Sequence, residues 1–319
     1  MPKIGLISNP SSQRNRRGLD GIHRAVAGAP DVIHVATDAG QDLDAALIEF
    51  ARQEVGLLVI NGGDGTVQTI LTRLLEDRPF ETVPYVAVLA RGTANTTAAD
   101  VGLRGRAAAG LARLLAAVRD GTIEGQIVER PILRLENIRG KGPQRGMMFG
   151  AGAVQGAIEL CCRKVYARGL RGNLGIGLTL AALLFGTIFE ARNHGILRGH
   201  DIAVSLDGGA ENRTSRLLVL ATTLHRLILG SRPFWNYEGE PIRYTSIAYP
   251  PDHLLRSAPK VLYGWRRRAL SPKVYDSQGA GRIGVRLEEP FTVDGEMFEP
   301  SPDRPVLITA PDWVRFVRL

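Results

Sequence analysis

The sequence predicts an α/β domain built on a parallel sheet, followed by a mainly antiparallel β domain, and three observations predict it. Apolar runs and helical patterns alternate through residues 1–128. A glycine-rich loop stands between one such run and the next helix. From about Glu129 onward the pattern changes to short apolar runs separated by glycine, proline and charge. Strands alternating with helices imply a parallel sheet wrapped by helices, whereas closely spaced short strands imply antiparallel pairing. A chain of 319 residues divides naturally in two, since single cores rarely grow past about 250 residues. The expected domains are 1–128 and 129–319, the second with a helical insertion.

In order, Lys3–Ser8 is a short apolar strand that ends in the polar turn Ser8-Asn9-Pro10-Ser11-Ser12. Asp31–Thr37 is the second strand, Ala45–Ile48 belongs to a helix, Val55–Ile60 is the third strand and Tyr85–Leu89 the fourth. Between the third and fourth lies Asn61-Gly62-Gly63-Asp64-Gly65-Thr66, followed by a helix written by Val67, Ile70, Leu71, Leu74 and Leu75. The later strands are Ile202–Leu206, Arg216–Ala221, Ile283–Leu287 and Val306–Thr309; Trp313–Arg318 alternates apolar and basic side chains as a final strand.

Taken by itself, the glycine loop is either a tight βα turn or a site for an anion. Three glycines at the end of a buried strand let backbone amides approach a ligand and permit conformations that a β-carbon forbids. The following helix adds the positive end of its dipole, so phosphate is the natural guest. Asp64 would repel a phosphate unless a divalent cation lies between them or the carboxylate takes part in the reaction. In parallel sheets ligands sit outside the carboxyl ends of the strands. Three polar turns fall there together: Ser8 to Ser12, the glycine loop, and Arg91-Gly92-Thr93-Ala94-Asn95.

Forty Lys and Arg against thirty-two Asp and Glu give a net charge of +8, which favours nucleotide phosphates, an anionic membrane surface or nucleic acid. No recognised nucleic-acid motif accompanies the charge, so nucleic acid is not an expected partner. The six histidines are scattered without metal-ligand spacing, and the two cysteines, Cys161 and Cys162, are adjacent and cannot staple distant segments. That usage points to a reducing, cytoplasmic compartment. Met1 to Asn9 reads as a strand and turn, not a leader, so export is not expected.

With these loops and the late Phe291-Thr292-Val293-Asp294-Gly295-Glu296 in hand, the chain resembles the diacylglycerol kinase catalytic family, which includes sphingosine and ceramide kinases and bacterial lipid kinases. Asn9-Pro10, Gly62-Gly63-Asp64-Gly65-Thr66, Gly92-Thr93-Ala94-Asn95 and Asp294-Gly295-Glu296 occur in the family order. The second motif is shared with NAD kinases; the late Asp-Gly-Glu favours the lipid branch. The resemblance implies a Rossmann-like nucleotide-binding domain of the NAD kinase/diacylglycerol kinase type, then a β-sandwich, with ATP between them. It implies that Asn9, Gly62, Gly63, Asp64, Gly65, Thr66, Gly92, Thr93 and Asn95 hold the nucleotide. It also implies that Asp64 and Glu296 serve magnesium (Mg2+), that Asp294 is the general base, and that Glu296 helps orient the substrate hydroxyl. Phosphoryl transfer needs such groups, being mostly positioning and charge neutralisation with a carboxylate to accept the alcohol proton. Taken without the resemblance, Asp294-Gly295-Glu296 is a β-turn carrying two exposed acids.

Many relatives have an aspartate after the asparagine of the Gly-Thr-Ala-Asn motif, where this chain has Thr96, and the proline before that motif is replaced within Ala90-Arg91. Asp100, one helical turn after Thr96, either supplies the missing charge or is a solvated helix residue. Arg91 either meets a nucleotide phosphate or is a surface charge. The departure also keeps open a catalytically weak lipid- or nucleotide-binding protein.

The expected acceptor is a lipid with a free hydroxyl: diacylglycerol first, then ceramide or a sphingoid base. Leu174 to Phe189 lacks charge and as a helix would be about 24 Å long, too short to span a membrane. It is either a core helix or a wall for acyl chains. Tyr263-Gly264-Trp265-Arg266-Arg267-Arg268, with Lys260 and Lys273, and the group Arg14, Arg16 and Arg17 are either contacts with an anionic membrane or a solvated face with a packed Trp. The chain is therefore expected in the cytoplasm, peripheral at the inner face of the membrane.

Overall fold

The structure, a computed structural model, describes residues 2–37, 41–154, 198–264 and 269–319. Cys161 and Cys162, the uncharged Leu174–Phe189 stretch and the Trp265-Arg266-Arg267-Arg268 cluster lie outside the described residues. The chain forms two compact units, Met1–Arg130 joined by Asp312–Leu319, and Pro131–Pro311.

The first unit is a parallel sheet covered by helices on both faces. Its strands are β1 (Lys3–Ser8), β2 (Val32–Ala36), β3 (Val55–Gly62) and β4 (Tyr85–Ala90). They lie in the order β2-β1-β3-β4, with Ser8 opposite Ala36 and Asn61. The last strand of the chain, β15 (Val306–Val317), returns to add Phe316 opposite Val86. β3 is buried almost throughout, as expected for a strand covered on both faces.

Helix α1 spans Asp20–Val26, α2 Gln41–Arg52, α3 Asp64–Thr72, α4 Thr96–Val101 and α5 Ala107–Arg119. Leu43, Ala46, Leu47 and Phe50 follow helical spacing on α2, and all are buried. Phe50 reaches Gly5 of β1, where an added Cβ would stand 2.5 Å from its ring. On the opposite face α1 and α5 bury Ile22, Ala107, Leu111, Leu114 and Val118 against Leu6, Leu57, Val59 and Leu89.

The second unit is antiparallel. Its strands are β5 (Ile127–Glu136, from Pro131 onward), β6 (Gln144–Gly146), β7 (Met148–Gly152), β8 (His200–Leu206), β9 (Asn212–Thr222), β10 (Ile242–Ala248), β11 (Tyr275–Ala280), β12 (Arg282–Arg286), β13 (Phe291–Val293) and β14 (Glu296–Phe298), with α6 (Leu254–Tyr263) between β10 and β11. β9 is the hub, pairing with β7, β8 and β10. Leu133, Phe149, Val219, Tyr244, Phe291 and Ile308 share its core, and the Phe149 and Phe291 rings lie 5.3 Å apart. An α/β unit on parallel strands followed by antiparallel strands is the predicted fold class.

Candidate active site

The three predicted loops of the first unit are bonded to one another. Loop 1 leaves β1 at Asn9, whose amide donates to Asn61 O at 3.1 Å. Asn9 Oδ1 accepts the amides of Ser11 and Ser12 at 2.8 and 3.2 Å, and Asn9 Nδ2 donates to Thr66 Oγ1 at 2.9 Å. The asparagine thus folds its own turn and ties it to the start of α3. Loop 3 joins through Arg91, whose amide donates to Gly62 O at 3.0 Å and whose carbonyl accepts from Arg14 N at 3.0 Å. Thr93 Oγ1 donates to Gln13 Oε1 at 2.8 Å.

The glycines have a role that the motif alone does not show. Gly62, Gly63, Gly65 and Gly92 all lie outside the positive-φ region, so no left-handed conformation demands them. Instead, a Cβ at Gly92 would stand 2.6 Å from Gly63 Cα, and one at Gly62 would meet the Thr66 side chain at 2.6 Å. The glycines let two backbones touch, which places the amides of loops 2 and 3 side by side.

Asn95 closes loop 3. Its φ is +51°, a conformation asparagine tolerates better than most residues. Its Oδ1 accepts Gly92 N at 2.7 Å while Nδ2 donates to Gly92 O at 2.9 Å. The residue therefore fixes the loop's own backbone.

Asp64 stands at the first position of α3 and reaches α4. Its Oδ2 accepts the amide of Thr96 at 3.1 Å and Oδ1 that of Thr97 at 3.0 Å. Burial pushes the carboxyl pKa up, while the Thr97 and Thr96 amides pull it down. A desolvated carboxylate gains from a nearby cation, and each oxygen keeps a lone pair beyond its amide. The residue thus fits the expected magnesium as one ligand. Among the described residues no group of three or more His, Cys, Asp or Glu could hold a metal; magnesium commonly takes much of its shell from water and phosphate oxygens.

Asp100 is neither a solvated helix residue nor a free charge. It is 2 % exposed, and its Oδ2 accepts from Arg130 Nε at 3.1 Å. The pair anchors α4, whose first amides hold Asp64.

Arg91 is committed to the loops. Its guanidinium donates to Asn15 Oδ1 and, at 3.0 Å, to Arg14 O. Burial lowers its pKa and the charge of Arg14 lowers it further. An anion bound at these loops would offset the charge that Arg14 and Arg91 place there.

Asp294 and Glu296 belong to the second unit. Asp294 and Gly295 form the two-residue turn joining β13 to β14, with Val293 opposite Glu296 and φ of +49° and +89°. Positive φ at both turn positions is the reason for Asp-Gly here. The predicted turn is present, but it does not carry two exposed acids. Asp294 is 8 % exposed with Oδ2 accepting Met147 N at 2.9 Å, while Glu296 is exposed. Gly146 makes room, since a Cβ there would stand 2.8 Å from Asp294 Oδ2.

Sequence reading missed Asn15 and Asn61. Asn15 Nδ2 donates to Asn9 O at 2.8 Å and Asn61 O at 2.9 Å, making it the knot of loop 1. A polar residue at the end of an apolar strand was the available signal for Asn61; Asn15 had none.

The family model for the diacylglycerol kinase catalytic domain matches residues 3–126. No curated protein matches the chain. A solved structure described as "a putative diacylglycerol kinase" from Bacillus anthracis str. Sterne is 19% identical. It superposes with a TM-score of 0.65 over 99% of this chain and 94% of its own. A diacylglycerol kinase structure from the same organism is 17% identical, with a TM-score of 0.60 over 99% of this chain and 96% of its own. At these identities the two structures show the fold. Residues 3–126 match the diacylglycerol kinase catalytic-domain model, and the chain has the fold of these solved structures.

Proposed function

We propose that the protein is an ATP-dependent lipid kinase that moves the γ-phosphoryl group of ATP to the hydroxyl of a lipid, with diacylglycerol the first substrate class and ceramide or a sphingoid base the alternatives. The observation that carries this reading is the union of the three loops, with the Gly63 and Gly92 backbones in close approach and Arg91 bonded to the backbone of Arg14. Such a cradle suits a polyphosphate. In this reading the amides near Gly62, Gly63, Gly65, Thr66, Gly92 and Thr93 bind the nucleotide, and Asn9 and Asn95 hold their loops in shape. Asp64 and Glu296 are the residues that would hold magnesium. Bound there, magnesium supplies neutralisation of phosphate charge.

Asp294 accepts the proton of the attacking hydroxyl at its carboxylate. The amide of Met147 orients the carboxylate from one side. The lipid is met at an anionic membrane surface from the cytoplasm. Among the described residues no helix is long and apolar enough to cross a membrane.

The test is transfer of labelled γ-phosphate from ATP to a panel of lipids in mixed micelles, with NAD in solution as a second acceptor. Label in one lipid class supports the reading and identifies the class. Label in NAD alone overturns it, and ATP binding without transfer to any acceptor favours a binding protein whose site lacks the acid replaced by Thr96.

A further inference from the structure

Beneath the first two loops, three polar side chains form a line across neighbouring strands. His34 Nε2 of β2 lies 2.9 Å from Ser8 Oγ of β1, and Asn61 Nδ2 of β3 donates to the same oxygen at 2.8 Å. Ser8 and Asn61 are both 0 % exposed. The other polar atom of the amide, Asn61 Oδ1, is buried without a hydrogen-bond partner. His34 itself is half-buried, its ring 5.3 Å from that of His23 on α1.

The proton count of this line depends on His34. With the imidazole neutral and its proton on Nδ1, the Ser8 hydroxyl donates to Nε2 and accepts from Asn61 Nδ2. Once His34 takes a second proton from solvent, Nε2 donates to Ser8 Oγ, and the Ser8 proton loses its acceptor. The acceptor within reach is Asn61 Oδ1 after the amide turns over, which moves Nδ2 into the place where no partner exists. Either outcome leaves a buried donor unsatisfied. Asn61 is not a passive end to the line. Its carbonyl accepts the Asn9 amide and Asn15 Nδ2, and Asn15 in turn accepts Arg91 Nε.

We propose that His34, Ser8 and Asn61 form a proton-linked relay that positions the nucleotide loops, so that protonation of His34 loosens them and weakens ligand binding. The inference rests on the nucleotide reading of these loops. Among the described residues, the titratable group facing His34 is His23 of α1; β1 and β3 contribute Ser8 and Asn61, which do not titrate in this range. Burial lowers the His34 pKa from 6.5, and the charge of His23 lowers it further. The device therefore acts below about pH 6.5 and is silent above it. His34 and Ser8 are positioning residues, since they touch loop-bearing strands and not the phosphates.

The experiment is calorimetric titration with ADP, without metal, at about pH 8 and about pH 5.5, on wild type, His34→Gln and Ser8→Ala. The amide resonances of Asn9 and Gly62 and the His34 ring are followed by NMR across the same range. The relay predicts that wild type loses affinity by about fivefold between the two pH values, more than His34→Gln does. The Asn9 and Gly62 amides move with the midpoint of the His34 ring, and in Ser8→Ala the ring still titrates while the amides no longer follow. An equal loss of affinity in His34→Gln, or amides that ignore the His34 midpoint, overturns the relay. Absence of ADP binding at every pH overturns the nucleotide reading instead, and the amide titration then decides the relay alone.

Discussion

The phosphate loops of the first unit and the acid hairpin of the second are held by different means. In the loops, side chains are spent on backbone: Asn9, Asn15 and Asn95 each bind main-chain atoms of the loops, and glycines at 63 and 92 remove the side chains that would keep the loops apart. In the hairpin one acid accepts a main-chain amide over a glycine, and Glu296, two residues on, is left exposed. The difference teaches what each region is built to present. In the proposed reading the loops present an array of amides to an anion, and the hairpin presents a carboxylate positioned by the Met147 amide. Changes in the loops should therefore act on binding and stability together, and changes in the hairpin on turnover alone.

The largest effect is expected at the hairpin. Asp294→Asn keeps the turn and the Met147 contact but cannot accept a proton, so phosphoryl transfer should fall by about a hundred- to ten-thousand-fold, measured as initial rate with unchanged melting temperature. Next is Asp100→Ala, which leaves the Arg130 guanidinium buried without its carboxylate. A loss of ~3–5 kcal/mol is expected in urea unfolding, and the double change Asp100→Leu, Arg130→Met should cost much less. If Asp100→Ala were instead neutral, the account of α4 as the anchor for Asp64 would be wrong.

Gly92→Ala comes third. Its Cβ would press on Gly63 Cα, and overpacking of this kind costs ~1–3 kcal/mol; because the neighbour is backbone, ADP affinity should drop with stability. An equal melting temperature and unchanged ADP titration would show that the loops can part freely. The smallest effect is the pH dependence of stability at His34. Its folded pKa lies below the unfolded value, so its contribution is present above about pH 6.5 and is lost as pH falls through the folded value. Melting temperature should decline in that window for wild type and less steeply for His34→Gln.

Much of the first unit was legible because its strands are continuous apolar runs between polar turns. β1 has the predicted limits, Lys3–Ser8, and β3 and β4 extend the predicted runs by a residue or two. The three loops were legible as a group because a parallel sheet puts the carboxyl ends of its strands on one side. What joins them was not. The contact of Gly63 with Gly92 and the bonds of Asn15 are long-range, and no local pattern encodes them.

The last strand was read in two pieces, since Pro311 and Asp312 interrupt the alternation after Thr309. The structure carries one strand from Val306 to Val317, with Pro311 exposed. Asp294 was legible as a turn residue from its following glycine, but its burial depends on Gly146 and Met147, far away in sequence. The pairing of Asp100 with Arg130 was hidden for the same reason: a buried ion pair resembles two surface charges until the fold brings them together.

The most direct test of the division of labour uses one preparation of Asp294→Asn, with ATP binding measured by calorimetry and transfer of labelled γ-phosphate to diacylglycerol measured in mixed micelles. The account predicts ATP affinity equal to wild type with transfer all but abolished. Transfer that survives at the wild-type rate would contradict it, because the proton would then be taken by a group other than the hairpin carboxylate.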